Sequence, residues 1–256
     1  MTNDQTKKFY DELSADYHLI FGNWDNAIKR QSKILDNIIQ KYSKNESKTL
    51  LDCSCGIGTQ AIGLANLGYK VHATDLSPKA IVRARLEANK RGVSISFDVA
   101  DFKKLEDQVE GTFDIVISCD NSLPHLLTDE ELLLAAKNIL SKMKSNSLFI
   151  ASIRDYDQLL EDKPISTQPN VKDFTKERTI SFQVWDWDEN NVYTVNHFTL
   201  KGINEKFDTF LRTTKYRAYK RDEMSKIFKE AGFIEIKWLM PNESEYYQPI
   251  IIALKP

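Results

Sequence analysis

The sequence predicts an α/β fold whose central sheet is mainly parallel and is covered by helices on both faces. Two observations support this prediction. Over residues 50–153, short apolar segments alternate with segments of helical periodicity, and the connecting loops are short. Over residues 178–219 the pattern changes to long stretches that alternate between apolar and polar residues, which is typical of antiparallel strands. The chain, with 256 residues, is long enough for one large core and a smaller subdomain.

The N-terminal part, residues 9–42, is predicted to be helical. Its apolar residues Ile28, Leu35 and Ile38 recur at helical spacing. A polar break follows at residues 44–48. We therefore expect a helical segment that precedes the first strand.

Strands are predicted over residues 50–52, 71–74, 95–99, 113–118 and 148–153. The helices predicted between them cover residues 60–67, 78–91 and 128–143. Ser77 is a typical N-cap for the second of these, with Pro78 in its first turn and Gly92 at its end. Thr128 or Asp129 caps the third. A helix over residues 221–231 and strands over 234–238 and 250–254 complete the prediction.

Residues 180–187 and 192–198 alternate in polarity, and residues 188–191 between them form a predicted turn. These segments predict two or three antiparallel strands, which we expect at the rim of the main sheet.

Composition argues against several classes of partner. The net charge is −2 and the pI is about 6.1, so the chain has no global basic field for nucleic acid or anionic lipid.

Three cysteines form no disulfide framework, and the first eight residues are polar, so we expect a reduced, cytoplasmic protein. Cys53 and Cys55 are too close together to form a zinc site, and we expect no metal.

The most informative segment is residues 49–60, an apolar strand that ends in Asp52 and turns through Gly56 and Gly58 into a helix. Gly56-x-Gly58-x-x-Ala61 matches the dinucleotide fingerprint. Asp52 would repel a pyrophosphate and attract an ammonium group. Asp75 ends the next strand, where a carboxylate can hold ribose hydroxyls. The pattern favours a nucleoside that carries an amino acid; a nicotinamide dehydrogenase remains an alternative.

A third acid, Asp101, follows the third predicted strand and is expected at the same edge of the sheet. It could accept a hydrogen bond from an adenine amino group, while Phe102 lies against the ring. Cys119 follows the fourth strand and would form a small apolar wall of the pocket.

These residues resemble the class I S-adenosylmethionine-dependent methyltransferases. Asp52, Gly56 and Gly58 match the first motif of that family, whereas Ser54 stands where a glycine is common. The resemblance implies S-adenosyl-L-methionine as cofactor. It also implies a Rossmann-like, seven-stranded sheet whose last strand is antiparallel, with an N-terminal helical cover and a small antiparallel insertion.

Residues 120–126 and 153–157 resemble, more narrowly, glycine N-methyltransferase and the glycine/sarcosine methyltransferases. The resemblance implies that Arg154 holds the carboxylate of the acceptor, with Tyr156 beside it. Asn121 and His125 are the catalytic candidates: Asn121 would orient the amine, and either His125 or bulk water would accept its proton. An ion pair of Arg154 with Asp155, Asp157 or the carboxylate of the cofactor is the alternative for the arginine.

In that family the N-terminal segment covers the cofactor, and one of its arginines holds the methionine carboxylate. Arg30 is the matching residue here. Tyr10 and Tyr17 could close over the sulfonium, because aromatic faces attract cations. Trp24 belongs to the same expected cover. Each aromatic residue could instead only pack the helices onto the sheet.

The expected contacts can be collected into two sets. The cofactor is expected to contact Tyr10, Tyr17, Trp24, Arg30, Asp52, Cys53, Gly56, Gly58, Asp75, Leu76, Asp101, Phe102, Cys119 and His125. The acceptor is expected to contact Asn121, Arg154, Tyr156 and Tyr216. The corresponding domains are a helical cap (1–48), the cofactor-binding core (49–154), an antiparallel substrate or lid insertion (155–219), and a C-terminal part that completes the sheet (220–256).

The expected function is S-adenosylmethionine-dependent N-methylation of a small acceptor that bears an amine and a carboxylate, such as glycine or sarcosine. The alternatives are another small-molecule acceptor and a non-catalytic module that binds S-adenosylmethionine. Neither nucleic acid nor a membrane is expected as a partner, and an oligomer is compatible with the sequence.

Overall fold

The computed structural model describes residues 2–44, 48–174, 177–203 and 206–256. Its strands are β1 (Thr49–Asp52), β2 (Lys70–Asp75), β3 (Ser96–Val99), β4 (Phe113–Ser118), β5 (Met143–Ser152), β6 (Asn170–Phe174), β7 (Glu177–Trp187), β8 (Val192–Ile203), β9 (Lys206–Arg217), β10 (Ile234–Leu239) and β11 (Ile250–Leu254). Its α-helices are α1 (Thr2–Leu13), α2 (Trp24–Tyr42), α3 (Thr59–Asn66), α4 (Pro78–Lys90), α5 (Leu105–Gln108), α6 (Asp129–Ser141), α7 (Tyr156–Asp162), α8 (Arg221–Ala231) and α9 (Pro241–Ser244).

Seven strands form the main sheet, in the order β10-β11-β5-β4-β1-β2-β3. The strands from β1 to β5 pair in parallel, whereas β11 is antiparallel to both β5 and β10. The predicted fold class is therefore confirmed, including the antiparallel last strand. Because the parallel strands share one direction, the loops that follow β1, β2, β4 and β5 meet at one edge of the sheet.

The sheet has a hydrophobic core on each face, because successive side chains of a strand point to opposite faces. In β4, Val116 packs with the core that includes α6 and α8. Ile115 and Ile117 pack with the other core, which includes α2, α3 and α4. A strand that is apolar on both sides is what a fully covered parallel sheet requires.

The N-terminal region is helical as predicted, but it is divided into α1, a 3-10 turn (Tyr17–Ile20) and α2. The side chain of Asn23 caps α2 by accepting a hydrogen bond from the N–H of Asn26 at 2.9 Å. The predicted caps Ser77 and Thr128 are confirmed: each hydroxyl oxygen accepts a backbone N–H from the first turn of its helix. Of the polar break at 44–48, residues 45–47 lie outside the described residues.

The antiparallel strands do not extend the rim of the main sheet, so that prediction was wrong. They form a separate sheet of four strands, in the order β6-β7-β8-β9. The number of strands also exceeds the predicted two or three, because β6 was not predicted. A strand shows in its own sequence that it is half-buried, but its hydrogen-bonding partner is distant in sequence and leaves no local pattern.

None of the helices within the described ranges is long and apolar enough to cross a membrane. The described residues also contain no cluster of three His, Cys, Asp or Glu side chains that could hold a metal ion.

Candidate functional site

Two cavities meet where the carboxyl ends of the parallel strands face the N-terminal helices. The smaller, about 60 Å³, lies beside the loops after β1, β2 and β4. The larger, about 990 Å³, lies between the N-terminal helices, the loops after β4 and β5, and the second sheet. Tyr10, Tyr17 and Asp120 line both cavities. The two cavities are therefore adjacent parts of one site.

The two glycines of the turn after β1 have different roles. Both have positive φ angles, +54° at Gly56 and +95° at Gly58. A Cβ atom built on Gly56 would meet nothing within 4 Å, and Gly56 lines the smaller cavity. A Cβ atom on Gly58 would lie 3.0 Å from Ile62 and 3.5 Å from Ala84. Gly56 thus leaves its backbone accessible to a ligand, whereas Gly58 allows α3 and α4 to pack closely.

Asp75, at the end of β2, is held by the same turn. One carboxylate oxygen accepts a hydrogen bond from the N–H of Gly56 at 2.8 Å, and the other accepts one from the N–H of Ser77 at 2.8 Å. Burial raises the pKa of this carboxyl group. Asp75 lines the smaller cavity with its rotamer fixed by two backbone donors.

Asp52 lies behind the cavities, and the structure does not place it in the lining of either. Its side chain is buried, and one oxygen accepts a hydrogen bond from the N–H of Ser54 at 3.3 Å. The other oxygen has no hydrogen-bond partner in the described part of the chain. Burial, reinforced by Asp75 and Asp120, raises the pKa of Asp52 to about 8.

Asp120 is a site residue that the sequence prediction missed. It has a left-handed backbone, with φ +60°, and it lines both cavities. Its carboxylate accepts hydrogen bonds from Tyr246 and Tyr247, each at 2.7 Å, and from the amide of Gln60 at 2.8 Å. Burial raises its pKa. The signal was available, because Asp120 follows β4 just as the other acids follow their strands.

Asn121 also has a left-handed backbone, with φ +67°. Its side-chain oxygen accepts hydrogen bonds from the backbone N–H of Arg154 and from the hydroxyl of Tyr156, both at 3.0 Å. Both partners are donors, so the amide nitrogen faces away from them. That nitrogen is buried and has no partner among the described residues. Two consecutive strained residues are typical of functional sites.

The Arg154 guanidinium faces the larger cavity without a carboxylate partner in the described ranges. It donates to the hydroxyl of Tyr193 at 2.6 Å and to the side-chain oxygen of Gln183 at 3.3 Å. It also lies over two aromatic rings, 4.7 Å from the centre of Trp185 and 5.1 Å from that of Tyr216.

The two acids beside Arg154 in sequence are engaged elsewhere. Asp155 and Asp157 both pair with Arg221, at 2.6 Å and 3.3 Å. The alternative of an ion pair with these neighbours is therefore not observed, and the positive charge of Arg154 is available to a ligand.

Aromatic side chains form the boundary between the two cavities. The Tyr10 hydroxyl lies 2.8 Å from His125 Nε2 and 3.4 Å from the Tyr216 hydroxyl. The rings of His125 and Tyr216 are 4.1 Å apart. His125 Nδ1 lies 3.1 Å from the carbonyl of Lys215, which can only accept, so Nδ1 donates and Nε2 accepts from Tyr10.

His125 is poorly suited to accept a proton. Burial lowers its pKa to about 3, and the positive charge of Arg154 acts in the same direction. Its imidazole is therefore neutral, and both ring nitrogens are already bonded. The contacts instead indicate that His125 connects α1 to β9.

The N-terminal residues separate into two groups. Tyr10 and Tyr17 line both cavities, and Arg30 lines the larger one. Trp24 lines neither cavity: it is buried, its indole N–H donates to Thr59 at 2.9 Å, and Arg91 stacks 4.8 Å from its ring. For Trp24 the packing alternative fits the structure better.

The structure brings most of the expected residues together. The smaller cavity is lined by Tyr10, Tyr17, Cys53, Gly56, Asp75, Leu76, Asp101, Phe102, Cys119 and His125. The larger cavity is lined by Tyr10, Tyr17, Arg30, Asn121, Arg154 and Tyr216. Trp24, Asp52, Gly58 and Tyr156 stand outside both linings and support residues within them. Lining residues that sequence reasoning missed include Thr6, Gln60, Asp120, Gln183, His197 and Tyr247.

Residues 50–146 match the family model described as Methyltransferase domain. A glycine/sarcosine N-methyltransferase from Parasynechococcus marenigrum is 30% identical over 141 residues, which cover 54% of this chain and only 50% of that protein. A glycine/sarcosine N-methyltransferase from Aphanothece halophytica is 23% identical over 237 residues, covering 88% of this chain and 82% of that protein.

Solved methyltransferase structures share the fold. The amino pentose methyltransferase CalS10 from Micromonospora echinaspora, solved with S-adenosylmethionine bound, superposes with a TM-score of 0.74. The match covers 94% of this chain and 95% of that chain, at 15% sequence identity. At this identity the likeness establishes the fold and not the acceptor.

The residues present fit S-adenosylmethionine, which is bound in the CalS10 structure. Gly56 leaves open space beside the turn, and the unpartnered oxygen of Asp52 lies near Asp75 and Asp120. This acidic edge suits hydroxyls and a cation, and it would repel a pyrophosphate. The smaller cavity, about 60 Å³, is below the 300 Å³ or so at which ligand pockets begin. An adenosyl group therefore needs more space than this cavity offers.

Proposed function

We propose that this chain, a member of the S-adenosylmethionine-dependent methyltransferases, transfers a methyl group to the nitrogen of a small acceptor that carries a carboxylate, such as glycine or sarcosine. The observation that supports this acceptor class is the guanidinium of Arg154. It faces the larger cavity, and its partners in the described chain are neutral oxygens and aromatic rings. A planar guanidinium is well suited to bind a carboxylate through two parallel hydrogen bonds.

The neighbouring groups support the same assignment. Asn121 lines the larger cavity, and its buried, unpartnered amide nitrogen would supply a second donor, with an orientation set by the backbone of Arg154. The relatives that carry the name glycine/sarcosine N-methyltransferase add weight to a small amino acid. Arg154 and Asn121 would hold the carboxylate and thereby place the amine.

The cofactor would be held at the opposite side of the site. Asp75 would bind the ribose hydroxyls, Asp101 and Phe102 would contact the adenine, and Arg30 would hold the methionine carboxylate; all four line one of the two cavities. Tyr10 and Tyr17 would place their rings near the sulfonium. When bound, S-adenosylmethionine supplies an electrophilic methyl group whose leaving group is a neutral thioether.

The chain contributes to catalysis mainly by alignment and by excluding water. Arg154 and Asn121 hold the acceptor, and Tyr10, His125 and Tyr216 line the place where the two cavities meet and the reacting groups would come together. The acceptor must arrive without its ammonium proton. Because His125 is a weak base in this setting, we propose that this proton is released to bulk water before transfer.

The test is methyl transfer from cofactor with an isotopically labelled methyl group to a panel of amines, with the transferred label measured by mass. Glycine or sarcosine should gain the label. Arg154→Lys should raise the KM for glycine about tenfold or more, because a charged hydrogen-bonded contact contributes roughly 1.5–3 kcal/mol. The affinity for S-adenosylmethionine should change less than twofold.

Arg221→Lys is the matched control, since Arg221 pairs with Asp155 and Asp157 and lines neither cavity. It should leave the KM for glycine unchanged. Normal glycine methylation by Arg154→Lys would refute the role of Arg154. Cofactor binding without transfer to any amine would instead favour a non-catalytic binding module.

A further inference from the structure

We propose that the preferred acceptor is an amino acid larger than glycine or sarcosine, whose side chain carries an oxygen that Gln183 and His197 bind. This inference rests on the proposed function and specifies the substrate class of the same site. Three features of the described residues support it: the size of the larger cavity, the free donor of Gln183, and the unpartnered imidazole of His197.

The larger cavity exceeds what glycine or sarcosine needs. Its volume of about 990 Å³ is at the upper end of the roughly 300–1,000 Å³ that is typical of pockets for drug-sized ligands. Part of that space would hold the methionine end of the cofactor, near Arg30. Gln183 and His197 lie on the wall that the second sheet forms. Neither residue is needed to bind the cofactor, and neither is needed for the contact between Arg154 and the acceptor carboxylate.

Gln183 presents a hydrogen-bond donor of fixed orientation. Its side-chain oxygen accepts from Arg154 Nη2 at 3.3 Å and from the indole N–H of Trp185 at 2.9 Å. Guanidinium and indole groups can only donate, so the atom that faces them must be the oxygen. The amide nitrogen therefore points elsewhere, and within the described ranges it has no hydrogen-bond partner.

His197 lies directly beside Gln183. The two residues are paired across β7 and β8, and His197 is paired with Arg212 across β8 and β9. Directly paired residues project from the same face, with Cβ atoms about 5 Å apart. A molecule held by Arg154 through its carboxylate could therefore reach Gln183 and His197 with a short side chain.

The imidazole of His197 lacks a partner. Its side chain is 3% exposed, and Nδ1 is buried without a hydrogen bond to any described residue. A ligand with a matching polar atom would satisfy this unpartnered group. Burial, together with the charge of Arg212, lowers the pKa of His197 to about 4, so the ring is neutral at physiological pH.

The charge at this end of the row is only partly balanced. Arg212 donates to Asp16 at 3.0 Å, and Lys201 pairs with the same carboxylate at 2.6 Å, so two cations share one anion. Gln183 and His197 are themselves neutral groups. They suit a hydrogen-bonding oxygen of the ligand side chain.

The experiment measures kcat/KM with labelled cofactor for pairs of acceptors that match in size. Serine is compared with 2-aminobutyrate and asparagine with leucine, and glycine and an amino sugar without a carboxylate are included. A polar amino acid should exceed its apolar counterpart and glycine by about tenfold or more. His197→Leu should reduce the ratio of polar to apolar acceptor at least fivefold, and His197→Gln should restore part of it.

The ratio separates recognition from folding, because a purely structural defect lowers both members of a pair together. Asn196→Leu is the control: Asn196 projects from the opposite face of β8, where it bonds to Asp186, and it should leave the ratio unchanged. If glycine is methylated at least as efficiently as every polar amino acid, or if His197→Leu keeps the ratio, this inference is overturned. If only the amino sugar gains label, the proposed function fails as well.

Discussion

The backbone N–H of Arg154 donates a hydrogen bond to the side-chain oxygen of Asn121 at 3.0 Å. This bond joins the loop after β5 to the loop after β4, so the guanidinium that faces the larger cavity and the amide beside it are positioned as one unit. The Tyr156 hydroxyl donates to the same oxygen at 3.0 Å. Tyr156 thus supports the acceptor site from behind, without lining the cavity.

Asn121→Asp should impair binding of a carboxylate-bearing acceptor while preserving the fold. The aspartate keeps an oxygen for the Arg154 N–H and the Tyr156 hydroxyl, but it replaces the free amide donor with a second negative oxygen. We expect the KM for glycine, measured by steady-state label transfer, to rise about tenfold or more at pH 7.5. An unchanged KM would show that the amide nitrogen does not face the acceptor.

Asp75→Asn should weaken the binding of S-adenosylmethionine. The asparagine retains one oxygen, but its NH₂ group must face the N–H of Gly56 or Ser77, and it cannot accept from the ribose on that side. Titration calorimetry should show that the affinity falls by about tenfold or more, as expected for lost charge-assisted hydrogen bonds. Asp107→Asn, on the exposed face of α5, is the control and should bind normally. Equal affinities for the two variants would remove the ribose assignment.

Gly56→Ala should mainly weaken cofactor binding, whereas Gly63→Ala should mainly lower thermal stability. The Cβ of Gly56→Ala enters the open space of the smaller cavity, so the cofactor Kd should rise at least tenfold, while the left-handed φ costs roughly 1–2 kcal/mol of stability. In Gly63→Ala the Cβ would lie 2.5 Å from Ser32 Cβ and 2.8 Å from the Ile28 carbonyl. Thermal unfolding should show the larger drop in Tm for Gly63→Ala, because overpacking of this kind costs roughly 1–3 kcal/mol or more of stability.

The cofactor Kd of Gly63→Ala, measured well below its Tm, should stay within twofold of the original value. If Gly56→Ala leaves the cofactor affinity unchanged, a ligand does not approach this turn closely.

Without cofactor, the protein should lose stability as the pH rises from about 4 to about 8. The pKa of Asp52 is about 8 in the folded chain, above the unfolded value near 3.9, so the folded state binds more protons in this range. The stabilisation is complete below pH 4 and is lost as the pH passes through 8, with a slope on the order of 1 kcal/mol per pH unit. Burial raises the pKa of Asp75 and Asp120 in the same sense.

Asp52→Asn should flatten this pH dependence, because the amide does not titrate. The measurement is thermal or denaturant unfolding of the ligand-free protein at a series of pH values. A slope as steep in Asp52→Asn as in the original chain would assign the effect to other groups.

Local patterns predicted the elements of the main sheet well. The helix caps at Ser77 and Thr128 and the glycine turn at Gly56 were readable because each depends on residues a few positions apart. The acids after β2 and β3 were recognisable because the carboxyl ends of parallel strands share one edge. Asp120 obeyed the same rule and was overlooked.

The chemical character of Arg154 illustrates the limit of sequence reasoning. The sequence left open whether its neighbours Asp155 and Asp157 neutralise it. An acid next to an arginine in the chain can pair with that arginine or with a different residue. The fold brings Arg221, which is 64 residues beyond Asp157, to those acids and leaves Arg154 without a carboxylate. Likewise, only the fold buries His125 between Tyr10 and Tyr216 and makes it a weak base.

The amino-acid sequence alone predicted the strands and helices of the main sheet and its acidic, glycine-containing edge, because periodicity, caps and turns are encoded over short distances. The resemblance to the class I methyltransferases implied that this sheet has seven strands. Tertiary structure decided that β6 to β9 form a separate sheet, that Asp120 joins the two cavities, and that Gln183 and His197 face the acceptor space. Those features arise from contacts between residues far apart in the chain. Burial and charge pairing at such contacts depend on the complete fold, and no short sequence pattern records them.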